Sequence, residues 1–232
     1  MGSIVTYRFE DAVATIAMDD GKVNVMSLKM LAELNAALDR AVADHAVVVI
    51  GGRQGVFSAG FDLPTLRGGG ADALAMLRGG FDLSERLLSF PTPVVMACTG
   101  HAIAMGVFLL LSGDYRVGAS GPFRITANEV AIGLTMPRPA VEILRQRLTP
   151  ACFNRALILA EPFSPDNAVE AGFLDRVVEA AAVHETAHTL AAAMTGLNMD
   201  AHAESKLRAR QQALSAIRAG IEADFGGFAA VA

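Results

Sequence analysis

Short runs of β-branched and apolar residues, bounded by charged residues, glycine or proline, recur through the first half of the chain. The clearest runs are residues 12–18 (AVATIAM), 46–50 (AVVVI) and 93–98 (PVVMAC). Runs of this length and composition are typical of buried β-strands. Residues 115–117 and 122–125 form weaker runs of the same kind. The pattern therefore predicts a series of short, buried strands.

Between these runs the apolar residues change to a spacing of three or four. Residues 27–43 and 74–88 show this spacing, and Ser27 is a suitable N-cap for the first stretch. A shorter helical stretch begins near Met105 and runs to Leu111. Strands that alternate with helices predict an α/β core.

The strand signal ends near residue 180. The remainder is rich in Ala, His, Lys and Arg, and it reads as two helices interrupted near residues 196–200. We therefore predict a core over residues 1–180 and a helical C-terminal region over residues 181–232.

Composition narrows the possible partners of the chain. It has 232 residues, 53% of them hydrophobic, and a formal net charge of −5 without a basic block. These values predict no nucleic-acid partner. The mean hydropathy of +0.40 indicates that part of the apolar surface is covered by other subunits. The histidines and cysteines show no metal-ligand spacing, so we predict no metal site.

The sequence also suggests where the protein resides. Its longest apolar stretch, residues 107–111, is too short to cross a bilayer. Cys98 and Cys152 lie among apolar residues, which is typical of reduced, buried thiols. No signal-peptide pattern is present at the N-terminus. We therefore expect no membrane association and a cytoplasmic protein.

Two junctions between a strand and a helix are candidates for chemistry. VFSAGFDL (residues 56–63) follows the run 46–50, and GHAIAMG (residues 100–106) follows the run 93–98. Small residues at such junctions leave N–H groups free, and two N–H groups aimed at one point form an oxyanion hole. By themselves, these segments are more typical of ordinary turns.

The order of the motifs resembles that of the crotonase (enoyl-CoA hydratase/isomerase) superfamily. The two junctions are followed by DYR at residues 114–116, NEVAIGL at 128–134 and AVEAGFLD at 168–175. The resemblance is closest to actinobacterial proteins labelled as enoyl-CoA hydratases. It implies an α/β fold with a crotonase-like ββα spiral core and a helical C-terminal trimerisation region. It further implies a homotrimer or homohexamer, an acyl-CoA thioester as substrate and no other cofactor.

The resemblance also assigns the oxyanion donors. It places them at the backbone N–H groups of Phe61 and Met105, with Ala59, Gly60 and Gly106 beside the substrate. Met105 stands where glycine is usual, so we expect backbone strain there if its φ is positive. Lys206, within SKLRAR, corresponds to a lysine that can approach a CoA phosphate. Pro64 replaces a residue that is often basic in hydratases.

The acid–base positions distinguish the reactions of the family. Hydratases use two glutamates; here the second position is Glu129 and the first is Phe108. A single base suits a Δ3,Δ2-enoyl-CoA isomerase of fatty-acid metabolism, because one carboxylate can take a proton from C2 and return it to C4. The pair Asn128-Glu129 resembles that of mitochondrial-type isomerases. We expect the apolar surroundings to raise the pKa of Glu129.

Two alternatives to isomerisation remain open. A weak hydratase with one glutamate is the first. A non-catalytic acyl-CoA-binding or scaffold protein is the second, because Phe108, Met105 and Pro64 all depart from the family pattern at one site. We prefer isomerase chemistry to hydration because Phe108 removes one of the two carboxylates, and to a scaffold because Glu129 is retained.

Overall fold

The computed structural model describes residues 2–226, and these form nine strands and nine α-helices. Short 3₁₀ turns occupy Val130–Ile132 and Ala180–Ala182. The strands are β1 Val5–Glu10, β2 Val13–Met18, β3 Val47–Gly51, β4 Gly55–Ser58, β5 Val94–Cys98, β6 Gly100–Ile103, β7 Tyr115–Ala119, β8 Ile125–Thr126 and β9 Arg176–Val178. The helices are α1 Leu28–Ala43, α2 Leu63–Gly68, α3 Gly70–Leu88, α4 Met105–Leu111, α5 Arg138–Arg145, α6 Pro150–Leu159, α7 Pro165–Ala171, α8 Val183–Met194 and α9 Met199–Phe225.

The strands build two sheets. The larger has the order β1-β2-β3-β5-β7-β9, and only its β1–β2 pair is antiparallel. The smaller has the parallel order β4-β6-β8. The chain twice passes from the larger sheet to the smaller one and then into a helix, as β3-β4-α2 and β5-β6-α4. These ββα repeats confirm the predicted crotonase-like α/β core.

Apolar side chains fill both faces of the larger sheet. On one face, Val49, Val95 and Val117 pack against α8 through Val183 and Ala187. The opposite face joins the main core, to which α1, α3, α4, α5 and α9 contribute. The predicted boundary near residue 180 falls between β9 and α8. Residues 227–232 of the predicted C-terminal region lie outside the described residues.

Several predicted elements are present with small shifts. The runs at 12–18, 46–50 and 93–98 are β2, β3 and β5. The Ser27 hydroxyl accepts a hydrogen bond from Met30 N at 3.2 Å and caps α1. The second predicted helix begins four residues early, as α3.

Four strands, β1, β4, β6 and β9, were missing from the prediction, and two of them, β4 and β6, alter the junctions. We expected each junction to run directly from a buried strand into a helix, but β4 and β6 intervene. Both are four residues long and begin with glycine, so local pattern gave little sign of them. A Cβ at Gly100 would overlap the backbone of Gly55. These strands form because their backbones approach closely in the folded protein.

Adjacent glycines in α3 provide a test of this packing. A Cβ at Gly79 would lie 3.4 Å from Leu31 Cδ1, an ordinary contact, whereas one at Gly80 would lie 2.6 Å from the Phe61 ring. Gly79→Ala should raise the free energy of unfolding by about 0.5–1 kcal/mol, because alanine favours the helix. Gly80→Ala should lower it by about 1–3 kcal/mol through overpacking. Urea unfolding measures both, and equal stability of the two variants would show that Phe61 is not held against α3.

Candidate active site

The turns that follow β4 and β6 lie against each other. Gly60 has φ of 90°. A Cβ built there would lie 2.9 Å from Ala104 Cβ, 3.0 Å from Ile103 O and 3.3 Å from Met105 N. The first turn can therefore reach the start of α4 only without a side chain at residue 60.

The first turn is held by backbone hydrogen bonds to the segment before α1. Met26 N donates to Gly60 O at 2.8 Å, and Ala59 N donates to Val23 O at 3.0 Å. The Ser58 hydroxyl accepts from Gly60 N at 3.2 Å. Within residues 2–226, Phe61 N donates no hydrogen bond. The turn thus fixes the Phe61 amide and leaves it free for a ligand.

The second turn presents an amide at the start of a helix. Met105 is the first residue of α4, and its N–H has no partner among the described residues. Such N–H groups are left open by helix geometry, and the helix dipole gives them positive potential. A Cβ at Gly106 would overlap Ser58 O, so the start of α4 can lie on β4 only because this residue is glycine.

The strain expected at Met105 lies one residue earlier. Ala104 has φ of 51° and ψ of −123°, a conformation that side chains disfavour. Met105 belongs to α4, and its side chain is buried in the main core. The donor position therefore accepts a long side chain without positive φ.

An apolar cavity of about 330 Å³ lies beside the two turns. Residues from both turns, from α2 and α3, from the 128–137 loop and from the end of α9 form its wall. The lining side chains are Ala59, Phe61, Leu63, Leu66, Leu77, Phe81, Ile103, Ala104, Phe108, Asn128, Glu129, Ile132, Leu134, Thr135, Pro137 and Phe225. Glu129 is the one ionisable residue among these lining side chains.

Glu129 meets the expectation of a buried, perturbed carboxyl group. It is 7% exposed, and its Oε2 has no hydrogen-bond partner among residues 2–226. Burial raises the pKa of Glu129 to about 7, opposed by a hydrogen bond from its own backbone N–H. Asn128 Oδ1, which is also buried, has no partner in the described part of the chain either. Both polar groups line the cavity and are available to a bound molecule.

Phe108 is the residue that the resemblance places where the family's hydratases have their other glutamate. Its ring is fully buried and stacks on Phe81, with 5.9 Å between ring centroids. Phe81 also meets Phe61 edge to face, with the centroids 6.2 Å apart. The first acid–base position is therefore part of an aromatic wall.

A basic groove adjoins the cavity and shares Ala59 and Ile103 with it. Lys22, Arg53 and Arg124 line this groove. Sequence reasoning missed these cations, because they come from three separate loops and no motif along the chain connects them.

His101 also lines the groove. Its Nδ1 accepts a hydrogen bond from Arg124 N at 3.0 Å, and its ring packs edge to face on Phe123. These contacts give His101 a packing role at the edge of the groove.

The structure does not bring Lys206 to the site, which corrects its assignment as a phosphate contact. Lys206 is 7% exposed and donates to Asp114 Oδ2 at 2.7 Å and to Thr92 O at 3.3 Å. Burial lowers the pKa of Lys206 to about 8. Arg210 pairs with the same carboxylate at 2.9 Å. Lys206 therefore forms a buried ion pair that connects α9 to the larger sheet.

A two-sheet spiral core with two free amides, an apolar cavity and one buried carboxyl group defines a crotonase-type protein. The sequence model of the enoyl-CoA hydratase/isomerase family matches residues 8–231. The chain therefore belongs to the enoyl-CoA hydratase/isomerase family.

Its relatives carry names from both activities of the family. Human mitochondrial enoyl-CoA delta isomerase 1 is 30% identical over 89% of this chain and 69% of that protein. The crystal structure of the enoyl-CoA hydratase EchA3 from Mycobacterium ulcerans superposes with a TM-score of 0.92, at 53% identity over 94% of this chain and 96% of that one. The apo structure of an enoyl-CoA isomerase from Mycobacterium tuberculosis gives a TM-score of 0.94, at 50% identity over 98% of this chain and all of that one. In residues 2–226, no helix is long and apolar enough to cross a membrane.

The raised pKa of Glu129 should make stability depend on pH. The folded state holds this proton up to about pH 7, whereas an unfolded glutamic acid loses it near pH 4.3. Stability should therefore fall as pH rises through this window and level off above it. The free energy of unfolding of Glu129→Gln minus that of the wild type should be about 2 kcal/mol higher at pH 8 than at pH 5.

Chemical unfolding at the two pH values measures this difference. Glu170→Gln, on the protein surface, controls for the loss of one carboxylate. A Glu129→Gln advantage that does not change with pH would mean that the Glu129 carboxyl group is ionised and hydrated in the folded state.

Proposed function

We propose that the protein is a Δ3,Δ2-enoyl-CoA isomerase of fatty-acid oxidation that uses Glu129 as its single base. One observation carries this proposal: Glu129 provides the one carboxyl group in the lining of the cavity, and Phe108 fills the other acid–base position. A single base that moves a proton between two carbons of one substrate needs no second acid.

The geometry supports a proton shuttle under an oxyanion hole. The thioester oxygen accepts hydrogen bonds from Phe61 N–H and Met105 N–H. Glu129 removes a proton from C2, and the electron pair forms a dienolate whose negative charge rests on the thioester oxygen. The C3–C4 double bond shifts to C2–C3 through this dienolate. The same carboxyl group then delivers the proton to C4. Atoms and charge balance, and the base is regenerated.

The pKa of Glu129 suits both halves of this shuttle. A base with a pKa of about 7 is substantially ionised near neutrality, and its conjugate acid is strong enough to return the proton. The dry, apolar wall also strengthens the hydrogen bonds to the developing oxyanion. Burial therefore assists both the acid–base step and charge stabilisation.

Hydration is the second candidate, and Asn128 is the observation that favours it. Its buried Oδ1 has no partner in the described residues, so its side chain can hold a water molecule near Glu129. Against it, Phe108 removes the second carboxylate that would activate this water. The non-catalytic scaffold is the weakest alternative, because a scaffold does not require a buried carboxyl group beside two free amides.

The basic groove supports binding of the CoA portion. CoA is a polyanion, and the side chains of Lys22, Arg53 and Arg124 provide positive charge directly beside the turns. Because the groove shares Ala59 and Ile103 with the cavity, one ligand can place its thioester at the amides and its phosphates in the groove. This groove replaces Lys206 as the proposed phosphate contact.

The decisive test is a paired assay of the purified protein. Conversion of 3-hexenoyl-CoA to conjugated 2-hexenoyl-CoA should be the faster reaction, and hydration of crotonyl-CoA should be slow or absent. Glu129→Gln should reduce isomerisation by about 10²–10⁴-fold, whereas Glu170→Gln should not. The kcat/KM of the wild type should rise with pH around pH 7, since only the ionised base is active.

Each departure from this result has a distinct meaning. Hydration without isomerisation would show that Asn128 and Glu129 together activate water, and the hydratase would replace the isomerase. Isomerisation that survives Glu129→Gln would exclude Glu129 as the base. Acyl-CoA binding without either reaction would favour the scaffold.

The predicted homotrimer or homohexamer remains a proposal, and an exposed apolar face supports it. Ile132, Leu134 and Ile158 are each 45–56% exposed although they are large and apolar. They lie on the 128–137 loop and α6, beside the cavity, rather than on the C-terminal helices where sequence placed the interface. A cytoplasmic location likewise stays a prediction.

Two charge insertions distinguish the possible interfaces. Ile158→Glu should convert the oligomer to monomers, because it buries a charge between subunits. Leu207→Glu, on the exposed side of α9, is the matched variant. Light scattering coupled to size-exclusion chromatography gives the mass of each. Dissociation by Leu207→Glu alone would show that the interface lies in the C-terminal region, as predicted from the sequence.

A further inference from the structure

The last turn of α9 closes one part of the cavity wall. Phe225, the final residue of α9, lines the cavity and stacks on Phe81 with 5.7 Å between centroids and 12° between ring planes. Phe61 and Phe108 also pair with Phe81, whereas Phe225 has no other ring partner among residues 2–226. Phe225 therefore contacts the aromatic cluster beside the oxyanion turns only through the ring of Phe81.

Polar contacts at the surface hold this turn in place. Glu222 forms an ion pair with Arg78 of α3. Asp224 pairs with the Arg138 side chain and accepts a hydrogen bond from Arg138 N at 2.7 Å. Exposed ion pairs contribute little stability each. Phe225 therefore closes the cavity from the end of α9. This end is held by exposed ion pairs, which are weaker than the contacts of the core.

Phe81, the other ring in this part of the wall, belongs to the hydrophobic core. Phe81 is fully buried in the middle of α3 and contacts three other rings. An acyl chain that fills the cavity would meet both Phe81 and Phe225, because both rings line it. The two rings differ in how easily they can be displaced, and Phe225 is the more easily moved.

Taking the proposed acyl-CoA function as its basis, we propose that Phe225 sets the upper limit of acyl-chain length. The cavity that Phe225 closes has a volume of about 330 Å³, so it holds a chain of limited length. The substrate class is that of short- and medium-chain enoyl-CoA thioesters, and longer chains require displacement of the α9 end.

The test measures binding of saturated acyl-CoAs, which need no proton transfer. Isothermal titration compares butanoyl-, octanoyl- and hexadecanoyl-CoA below their micelle-forming concentrations. In the wild type, affinity should increase from butanoyl- to octanoyl-CoA and not beyond. Phe225→Ala should bind hexadecanoyl-CoA at least about tenfold more tightly than the wild type does and should leave butanoyl-CoA unchanged.

Three further variants test whether the effect of Phe225→Ala comes from loss of its ring. Phe225→Leu keeps most of the bulk and should give a smaller gain for hexadecanoyl-CoA. Asp224→Asn keeps the ring but weakens its tether to Arg138, and it should also give a partial gain. Leu197→Ala removes an exposed apolar side chain between α8 and α9, and it should match the wild type at every chain length. Thermal unfolding shows whether each variant is folded.

Parallel chain-length profiles in the wild type, Phe225→Ala and Asp224→Asn would overturn the proposal. Steady gains up to hexadecanoyl-CoA in the wild type would also overturn it. If the profile shifts as expected but no 3-enoyl-CoA is isomerised, only the proposed reaction fails. If isomerisation proceeds and the profiles are parallel, only the role of Phe225 fails.

Discussion

The close approach of two backbone turns is the constraint on which the rest of the structure depends. Gly60 and Gly106 permit this approach, because a Cβ at either position would be too close to the opposing segment. The approach joins the smaller sheet to the start of α4 and brings the turn that carries the Phe61 amide against Met105 N, which lies 3.3 Å from a Cβ placed at Gly60. Oxyanion binding needs donors that are already aimed before the charge forms. Here the packing of backbone on backbone provides that preorganisation.

The apolar lining of the cavity connects the acid–base group to the hydrophobic core. Phe81 contacts Phe61, Phe108 and Phe225, so one core ring supports the donor turn, the replaced acid–base position and the end wall. The same apolar wall excludes water from Glu129 and raises its pKa to about 7. A second carboxylate at position 108 would hydrate this wall. Stability of the aromatic cluster and the proposed single-base chemistry therefore depend on the same residues.

Sequence could predict the features that depend on neighbouring residues and could not predict those assembled from distant ones. Phe61, Met105 and Glu129 were assigned because each lies in a short motif that resembles a motif of the family. Strands β4 and β6 were missed because their pairing is tertiary. Lys206 was assigned wrongly because motif position does not reveal that Asp114, far away in sequence, binds it at 2.7 Å. The cations of the basic groove were missed for the same reason.

The conformation of Ala104 shows why Met105 is compatible with a working oxyanion hole. Strain of the kind found at Ala104 costs about 1–3 kcal/mol and persists only where surrounding contacts impose it. Ala104 N donates to Thr126 O at 2.9 Å, and Ala104 O accepts from Val107 N at 2.8 Å. Because the strain lies before the donor, Met105 can adopt helical geometry and bury its side chain while its N–H remains directed by α4. The substitution of methionine for glycine therefore gives no support to a non-catalytic protein, since the donor requires only its amide.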